Sequence, residues 1–168
     1  LQDFTPYTNC RAVLNLWAGV ENIVGNQTLK IPLARMIDRG MTRGMVEWVT
    51  GHVMRHHLGM DSHILGQDGL WRSEIAPLAR ERPVTILGMG TLGQACAQAL
   101  INLEFPVTGW SRTAKKIPEA TVLHGENQLD KSLETAQIVI LLLPLTAGTQ
   151  GVINAQRLAA LPKGAVLI

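Results

Sequence analysis

From Val84 onward, short apolar runs alternate with stretches whose apolar residues recur at helical spacing. Val84–Leu87, Val107–Trp110, Thr121–Leu123, Ile138–Leu143 and Val166–Ile168 read as strands. Leu92–Leu103, Leu129–Ala136 and a segment from Asn154 to Leu161 read as helices, the last capped by Asn154 and stopped by Pro162 and Gly164. Strands that lack polar alternation and are separated by helices predict a parallel sheet covered on both faces. The fold class is therefore α/β, a Rossmann-type doubly wound parallel sheet truncated after its fifth strand.

Before Pro83 the pattern differs. Arg11–Trp17 reads as a strand, followed by a turn over Ala18–Asn22 and a loop through Gly25-Asn26 and Ile31-Pro32 to Gly40. From Thr42 to Gly59 the chain reads as a helix. Met45, Val49, Val53 and His56 form its apolar stripe, Trp48 and His52 flank it, and Gly59 is placed to end it. Polar, glycine-containing residues from Asp61 to Arg82 read as a linker. The expected division is residues 1–40 from one domain, 41–82 a helix and linker, and 83–168 the sheet domain. No internal repeat or low-complexity stretch interrupts this. The chain starts at Leu1 without a methionine and closes on the apolar run Ala165–Ile168, so it reads as part of a longer one.

Composition narrows the class without changing the fold. The 168 residues suffice for one full domain and part of another, and 46% hydrophobic with 17% charged residues describes an ordinary globular chain. A net charge of +2 gives no general attraction to nucleic acid or membranes. No apolar run reaches membrane-spanning length, and no basic segment followed by an apolar one marks a signal peptide. Cys10 and Cys96 are far apart in sequence and read as reduced thiols of a cytoplasmic protein.

Chemistry enters at Gly88-Met89-Gly90-Thr91-Leu92-Gly93. This GxGxxG follows a strand directly and opens a helix directly, which is the context in which the pattern binds dinucleotides. Gly88 permits the turn, Gly90 lets the backbone approach a pyrophosphate, and Gly93 lets helix and strand pack closely. The helix N-terminus then offers free N–H groups to the anion. An NAD enzyme places an acid at the end of the second strand, about 20 residues on, to take the ribose hydroxyls. Here that end reads Gly109-Trp110-Ser111-Arg112, with Lys115 and Lys116 beyond it. Serine removes the repulsion an aspartate would exert on a 2′-phosphate, and arginine grips that phosphate with charge-assisted hydrogen bonds. NADP is the expected cofactor, with NAD possible.

His52 and His56 stand four apart, near His57 and His63, a spacing that can present two zinc ligands. Val53 occupies the place where a metalloprotease helix carries glutamate, so these histidines are expected to pack, and no metal is assigned. His124, after the third strand, receives no role.

Taken together, several stretches resemble the D-isomer specific 2-hydroxyacid dehydrogenases. Asn15–Ile23 is similar to their first substrate loop, and Met45-Val46-Glu47-Trp48 to the start of their long interdomain helix. The loop 84–93, the strand end at Trp110–Arg112, Leu142-Leu143-Pro144-Leu145-Thr146 and the segment from Asn154 to Ile168 follow in family order. The Trp-Ser-Arg end most resembles the glyoxylate/hydroxypyruvate reductase A branch, which uses NADPH.

The resemblance implies that residues 1–40 are the C-terminal part of a substrate domain. It implies that backbone N–H groups of Ala18 and Gly19 hold the carboxylate of a small 2-keto acid. It further implies that Gly88, Met89, Gly90, Thr91, Leu92 and Gly93 hold the pyrophosphate. Ser111, Arg112 and Lys115 would hold the 2′-phosphate, and Leu143 and Pro144 would line the cofactor cleft. The family's catalytic arginine, acid and histidine fall beyond Ile168, so this chain is expected to bind cofactor without catalysing turnover. Family dimers pair near Trp71, which is read either as reaching a partner subunit or as anchoring its own loop; a homodimer is expected by analogy. Trp17 either shapes the substrate pocket or simply packs. A rival reading is a dinucleotide-binding sensor of the same fold without turnover.

Overall fold

The five apolar runs of the sheet domain lie side by side in the computed structural model, which describes residues 2–168. They are β3 (Val84–Leu87), β4 (Val107–Ser111), β5 (Thr121–His124), β6 (Ile138–Leu141) and β7 (Val166–Leu167). All pair in parallel, in the order β5-β4-β3-β6-β7. The first of these five strands in sequence is therefore central, with successive crossovers running outward to both sides. That reversal opens a crevice at the carboxyl ends of β3 and β6.

Two apolar layers cover the sheet. On one face α3 (Thr91–Asn102) packs through Cys96, Ala97 and Leu100 against Ile86, Val107 and Ile140. A long helix, α1 (Arg39–His57), contributes Val49 and Val53 to the same core. On the other face α4 (Leu129–Leu133) packs Leu129 and Leu133 against Leu87, Trp110 and Val139. Buried Thr85 donates to the Ser132 carbonyl at 2.7 Å, tying β3 to α4. A final helix, α5 (Ala155–Ala160), is capped by Asn154, whose side chain accepts from the Arg157 N–H at 2.9 Å. Arg157 also pairs with Asp130 at 2.6 Å and joins α5 to α4.

Upstream of α1, the strand is shorter than the sequence predicts, β1 (Val13–Asn15), and its partner lies where the pattern reads as a loop. Leu33–Arg35 forms β2, parallel to β1. Three residues are too few to show an alternating pattern, and Pro32 masks the start. The predicted linker likewise contains a short helix, α2 (Met60–Ile64), which Gly59 opens in a left-handed conformation at φ 61°. The helix α1 begins three residues before Thr42, because Asp38 caps it by accepting from the Met41 N–H at 3.0 Å. Its buried stripe runs Val49, Val53, His57 rather than ending on His56, in strict steps of four. The fourth sheet strand ends at Leu141 and not Leu143, although the Leu142 N–H still donates to the Leu87 carbonyl at 2.8 Å. Among the described residues no helix is long and apolar enough to cross a membrane.

Candidate functional site

The glycine loop bridges β3 and α3 at the sheet's carboxyl edge. Gly88 has φ 111°, a region closed to most side chains, and an added Cβ would lie 2.6 Å from the Leu142 carbonyl oxygen. Its N–H donates to the Trp110 carbonyl at 2.9 Å, so the turn is stitched to β4 as well as to the end of β6. At Gly93 an added Cβ would meet the Gly88 carbonyl oxygen at 1.9 Å, which only a hydrogen can avoid. Gly90 differs from both. An added Cβ there meets nothing within 4 Å, so the space above it is open.

Capping separates this helix from α1 and α5. Asp38 and Asn154 satisfy backbone donors at the starts of α1 and α5. The cap of α3 is Gly90, which has no side-chain acceptor. The first intrahelical bond is Gln94 N–H to the Gly90 carbonyl, at 2.9 Å, leaving the N–H groups of Gly90, Thr91, Leu92 and Gly93 without intrahelical partners. Gln94 uses its side-chain amide to hold the Met89 carbonyl at 3.0 Å. Open space beside unsatisfied donors at a positive helix end suits a pyrophosphate.

Met89 does not face this opening. Its side chain is buried, and a Cβ added at Gly109 would lie 2.6 Å from its sulfur. Gly109 on β4 thus makes room for the loop's own anchor, a role its position alone does not reveal. Met89 reaches a ligand only through its backbone.

At the end of β4, Trp110 is buried and its indole N–H donates to the Gly125 carbonyl at 2.9 Å. Ser111 is also buried, and its hydroxyl donates to the Thr113 carbonyl at 2.7 Å. That bond forms the turn presenting Arg112, and the hydroxyl must rotate to donate to a phosphate. Arg112, Lys115 and Lys116 are exposed, and none takes part in an ion pair among the described residues. Beyond β6, Leu143 is half-buried against the core under α4, which also holds Val139 and Leu87, whereas Pro144 is exposed. The Thr149 hydroxyl donates to the Pro144 carbonyl and accepts from the Thr146 N–H at 2.8 Å, fixing the loop after β6.

An apolar cleft of about 300 Å³ lies between α1 and the ends of β6 and β7, lined by Met45, Trp48, Ile140, Leu141, Leu142 and Ile168. The loop after β1 is held differently. The Asn15 amide donates to the Trp17 and Gly19 carbonyls at 3.0 and 2.8 Å. With those carbonyls tied back, the Ala18 and Gly19 N–H groups have no backbone acceptor among the described residues. The Glu21 carboxylate lies beside this loop, one oxygen 2.6 Å from where a Gly19 Cβ would be. Trp17 is 77% exposed, so it packs little within this chain. Trp71 is 92% exposed and does not anchor its loop, which is held instead by Arg72 pairing with Asp68 at 2.6 Å.

Titratable groups outside the opening serve packing. His57 lies edge-on to Phe105, with ring centroids 5.0 Å apart, and its Nδ1 has no hydrogen-bond partner among the described residues. Burial, with the Arg82 charge adding to it, pushes its pKa down. Burial pushes the Cys96 thiol up to about 11. His52 packs tilted against Trp48, ring centroids 4.2 Å apart, and among the described residues no three potential ligands gather to hold a metal.

Comparison with known proteins fits this geometry. Residues 50–168 match the family model described as D-isomer specific 2-hydroxyacid dehydrogenase, NAD binding domain. A D-isomer specific 2-hydroxyacid dehydrogenase from Xanthobacter autotrophicus Py2, solved with NADPH and MES, is 37% identical with a TM-score of 0.93. The match covers 98% of this chain and 53% of that one. The NADPH-dependent glyoxylate/hydroxypyruvate reductase of Sinorhizobium meliloti, solved with NADP and sulfate, is 34% identical with a TM-score of 0.84, over 90% of this chain and 48% of that one. A probable 2-hydroxyacid dehydrogenase from Rhizobium etli CFN 42, solved with NADP, HEPES and L(+)-tartaric acid, is 35% identical with a TM-score of 0.86, over 92% and 50%. The chain thus spans about half the length of these solved structures.

Proposed function

Because this chain belongs to the D-isomer specific 2-hydroxyacid dehydrogenase family, we propose that the full-length protein reduces a small 2-keto acid, glyoxylate or hydroxypyruvate, with NADPH. The observation that carries the cofactor reading is the uncapped first turn of α3 beneath the open space at Gly90, together with a β4 end that bears no acid. Donors of Gly90 to Gly93 hold the pyrophosphate, while Gly88 and Gly93 bring strand and helix close enough to form the seat. Arg112 and Lys115, exposed and outside every ion pair among the described residues, meet the 2′-phosphate beside Ser111. Leu143 and Pro144 border the cofactor where the crevice opens. Two of the three relatives were solved with NADP and one with NADPH, which supports the same choice.

The substrate's carboxylate sits on the Ala18 and Gly19 N–H groups, which Asn15 keeps available by holding the carbonyls back. Bound NADPH supplies the hydride. The charge that builds on the keto oxygen needs a proton donor and a cation. The residues assigned here bind and orient, and none of them is the proton donor or the cation. By family analogy the working protein is a cytoplasmic homodimer.

The test uses the full-length protein with glyoxylate and either NADPH or NADH. Faster oxidation of NADPH is expected, and Arg112→Asp is expected to move the preference toward NADH. Wild-type preference for NADH would overturn the cofactor reading. Tight dinucleotide binding without turnover of glyoxylate or hydroxypyruvate would replace reduction by a sensing role.

A further inference from the structure

His124 ends β5 directly beside Ser111, its register partner at the end of β4. Along each strand successive side chains alternate between faces. On β4, Val107 belongs to the core under α3, while Trp110 belongs to the core under α4. Ser111 therefore falls on the α3 side. On β5, Val122 packs with the α3-side core and Leu123 with the α4-side core, so His124 falls on the α3 side too. Ser111, His124 and the open N-terminus of α3 consequently share one face at one edge of the sheet.

The placement is held firmly. The Gly125 N–H donates to the Ser111 carbonyl at 3.1 Å, and the Trp110 indole holds the Gly125 carbonyl at 2.9 Å. Two bonds across adjacent strands thus fix the backbone on which His124 sits. Its side chain is exposed and takes part in no hydrogen bond among the described residues. The nearest acid in sequence, Glu126, opens the turn Glu126–Gln128, which leads to α4 on the opposite face. Neighbouring strands are about 4.8 Å apart, so a phosphate resting on the Ser111 side chain is within one imidazole length of His124.

We propose that His124 is a specificity-determining residue of the dinucleotide site, donating a hydrogen bond to the ribose 2′-phosphate and thereby raising the preference for NADPH over NADH. The inference rests on the NADP reading above. It adds a second element, β5, to a phosphate seat otherwise assembled from the β4 end alone. An imidazole N–H donates to phosphate in either protonation state, so the contribution does not require a charged ring.

The experiment measures dissociation constants of NADPH and NADH by fluorescence titration with the full-length protein, for wild type, His124→Ala and His124→Gln. Competition by adenosine 2′,5′-bisphosphate and by AMP isolates the phosphate from the nicotinamide end. His124→Ala is expected to weaken NADPH and the bisphosphate about threefold to tenfold, as loss of one hydrogen bond does, leaving NADH and AMP unchanged. His124→Gln, which retains a donor, is expected to recover part of the loss. Equal weakening of both dinucleotides, or no change in either, would overturn the proposal. A wild-type preference for NADH would instead overturn the NADP reading beneath it, and is seen before any variant is made.

Discussion

Gly90 and Gly93 are three residues apart in one motif, yet the structure demands opposite consequences from the same added methyl group. At Gly93 the methyl carbon would lie 1.9 Å from the Gly88 carbonyl oxygen and 3.0 Å from its carbon, where ordinary contact begins at 3.4 Å. Both atoms are backbone, so α3 has to back away from β3 by roughly an ångström or more, and Ile86, Cys96 and Ala97 lose their fit. Overpacking of this kind costs about 1–3 kcal/mol, and the rigid neighbours put Gly93→Ala near the upper end. For a chain of this size that lowers Tm by about 6–12 °C. At Gly90 the backbone has φ −78°, which alanine adopts freely, and no atom lies within 4 Å. Gly90→Ala should leave Tm unchanged or raise it slightly, because alanine restricts the unfolded chain. Its methyl group does, however, enter the space assigned to the pyrophosphate. Losing one charge-assisted N–H contact costs about 1.5–3 kcal/mol, or roughly tenfold to a hundredfold in dissociation constant. Circular dichroism melts without ligand, followed by NADPH titrations on the same samples, separate the two effects. A Gly90→Ala protein that binds NADPH like wild type would refute the assignment of that space to phosphate. A Gly93→Ala protein with unchanged Tm would refute the close approach.

Three further outcomes follow from side chains elsewhere. Asn15→Ala frees the Trp17 and Gly19 carbonyls; in the full-length protein it should raise the KM for the keto acid severalfold while leaving NADPH affinity alone, as steady-state kinetics and titration would show. Cys96, pushed up to about 11 by burial, should resist thiol reagents at neutral pH while exposed Cys10 reacts, so a colorimetric thiol count should rise on unfolding. Since the folded Cys96 pKa is raised, its contribution to stability is fully present below the unfolded value and is lost as pH climbs from about 9 to 11. His57 has the opposite sign: its folded pKa is lowered, so stability is present above the ordinary histidine range and falls as pH drops through and below it. His57→Leu should flatten that acid-side slope in urea midpoints measured across pH, and an unaltered slope would assign the loss to other groups.

The sheet domain is legible in the sequence because its signals are long and redundant. Five apolar runs, each followed by helical spacing or a breaker, admit few arrangements, and the GxGxxG ties the first run to the first helix. The less legible parts depend on particular contacts that residue type does not announce. Strand β2 is three residues long and exists because Val13–Asn15 runs beside it. The start of α1 depends on Asp38 reaching Met41, a capping signal that the apolar stripe alone does not carry. Gly109 gives no sign of its purpose in sequence, since only the fold brings Met89 against it. The same holds for Asn15, whose amide secures a loop through carbonyls two and four residues on, and for Ser111, whose hydroxyl is engaged by Thr113. Residue type locates the dinucleotide loop; the direction of hydrogen bonds decides which of its atoms remain free.

The central position of β3 also bears on the order in which the domain assembles. Pairing β3 with β4 joins Val84 to Val107, 23 residues apart, and β4 with β5 joins Thr108 to Thr121, only 13 apart. Pairing β3 with β6 joins Val84 to Ile138, across 54 residues. The longer closure costs about 0.8 kcal/mol more in entropy than the β3–β4 closure, and it gains little until α3, β4 and β5 are already in place. The β5-β4-β3 half of the sheet is thus the natural folding nucleus, and the crevice itself is completed last, when β6 closes onto that preformed unit. Pulse-labelled amide exchange during refolding should accordingly protect Thr108–Ser111 before Val139–Leu141. A ligand that spans the crevice acts on the late step, so its presence should slow unfolding far more than it speeds folding.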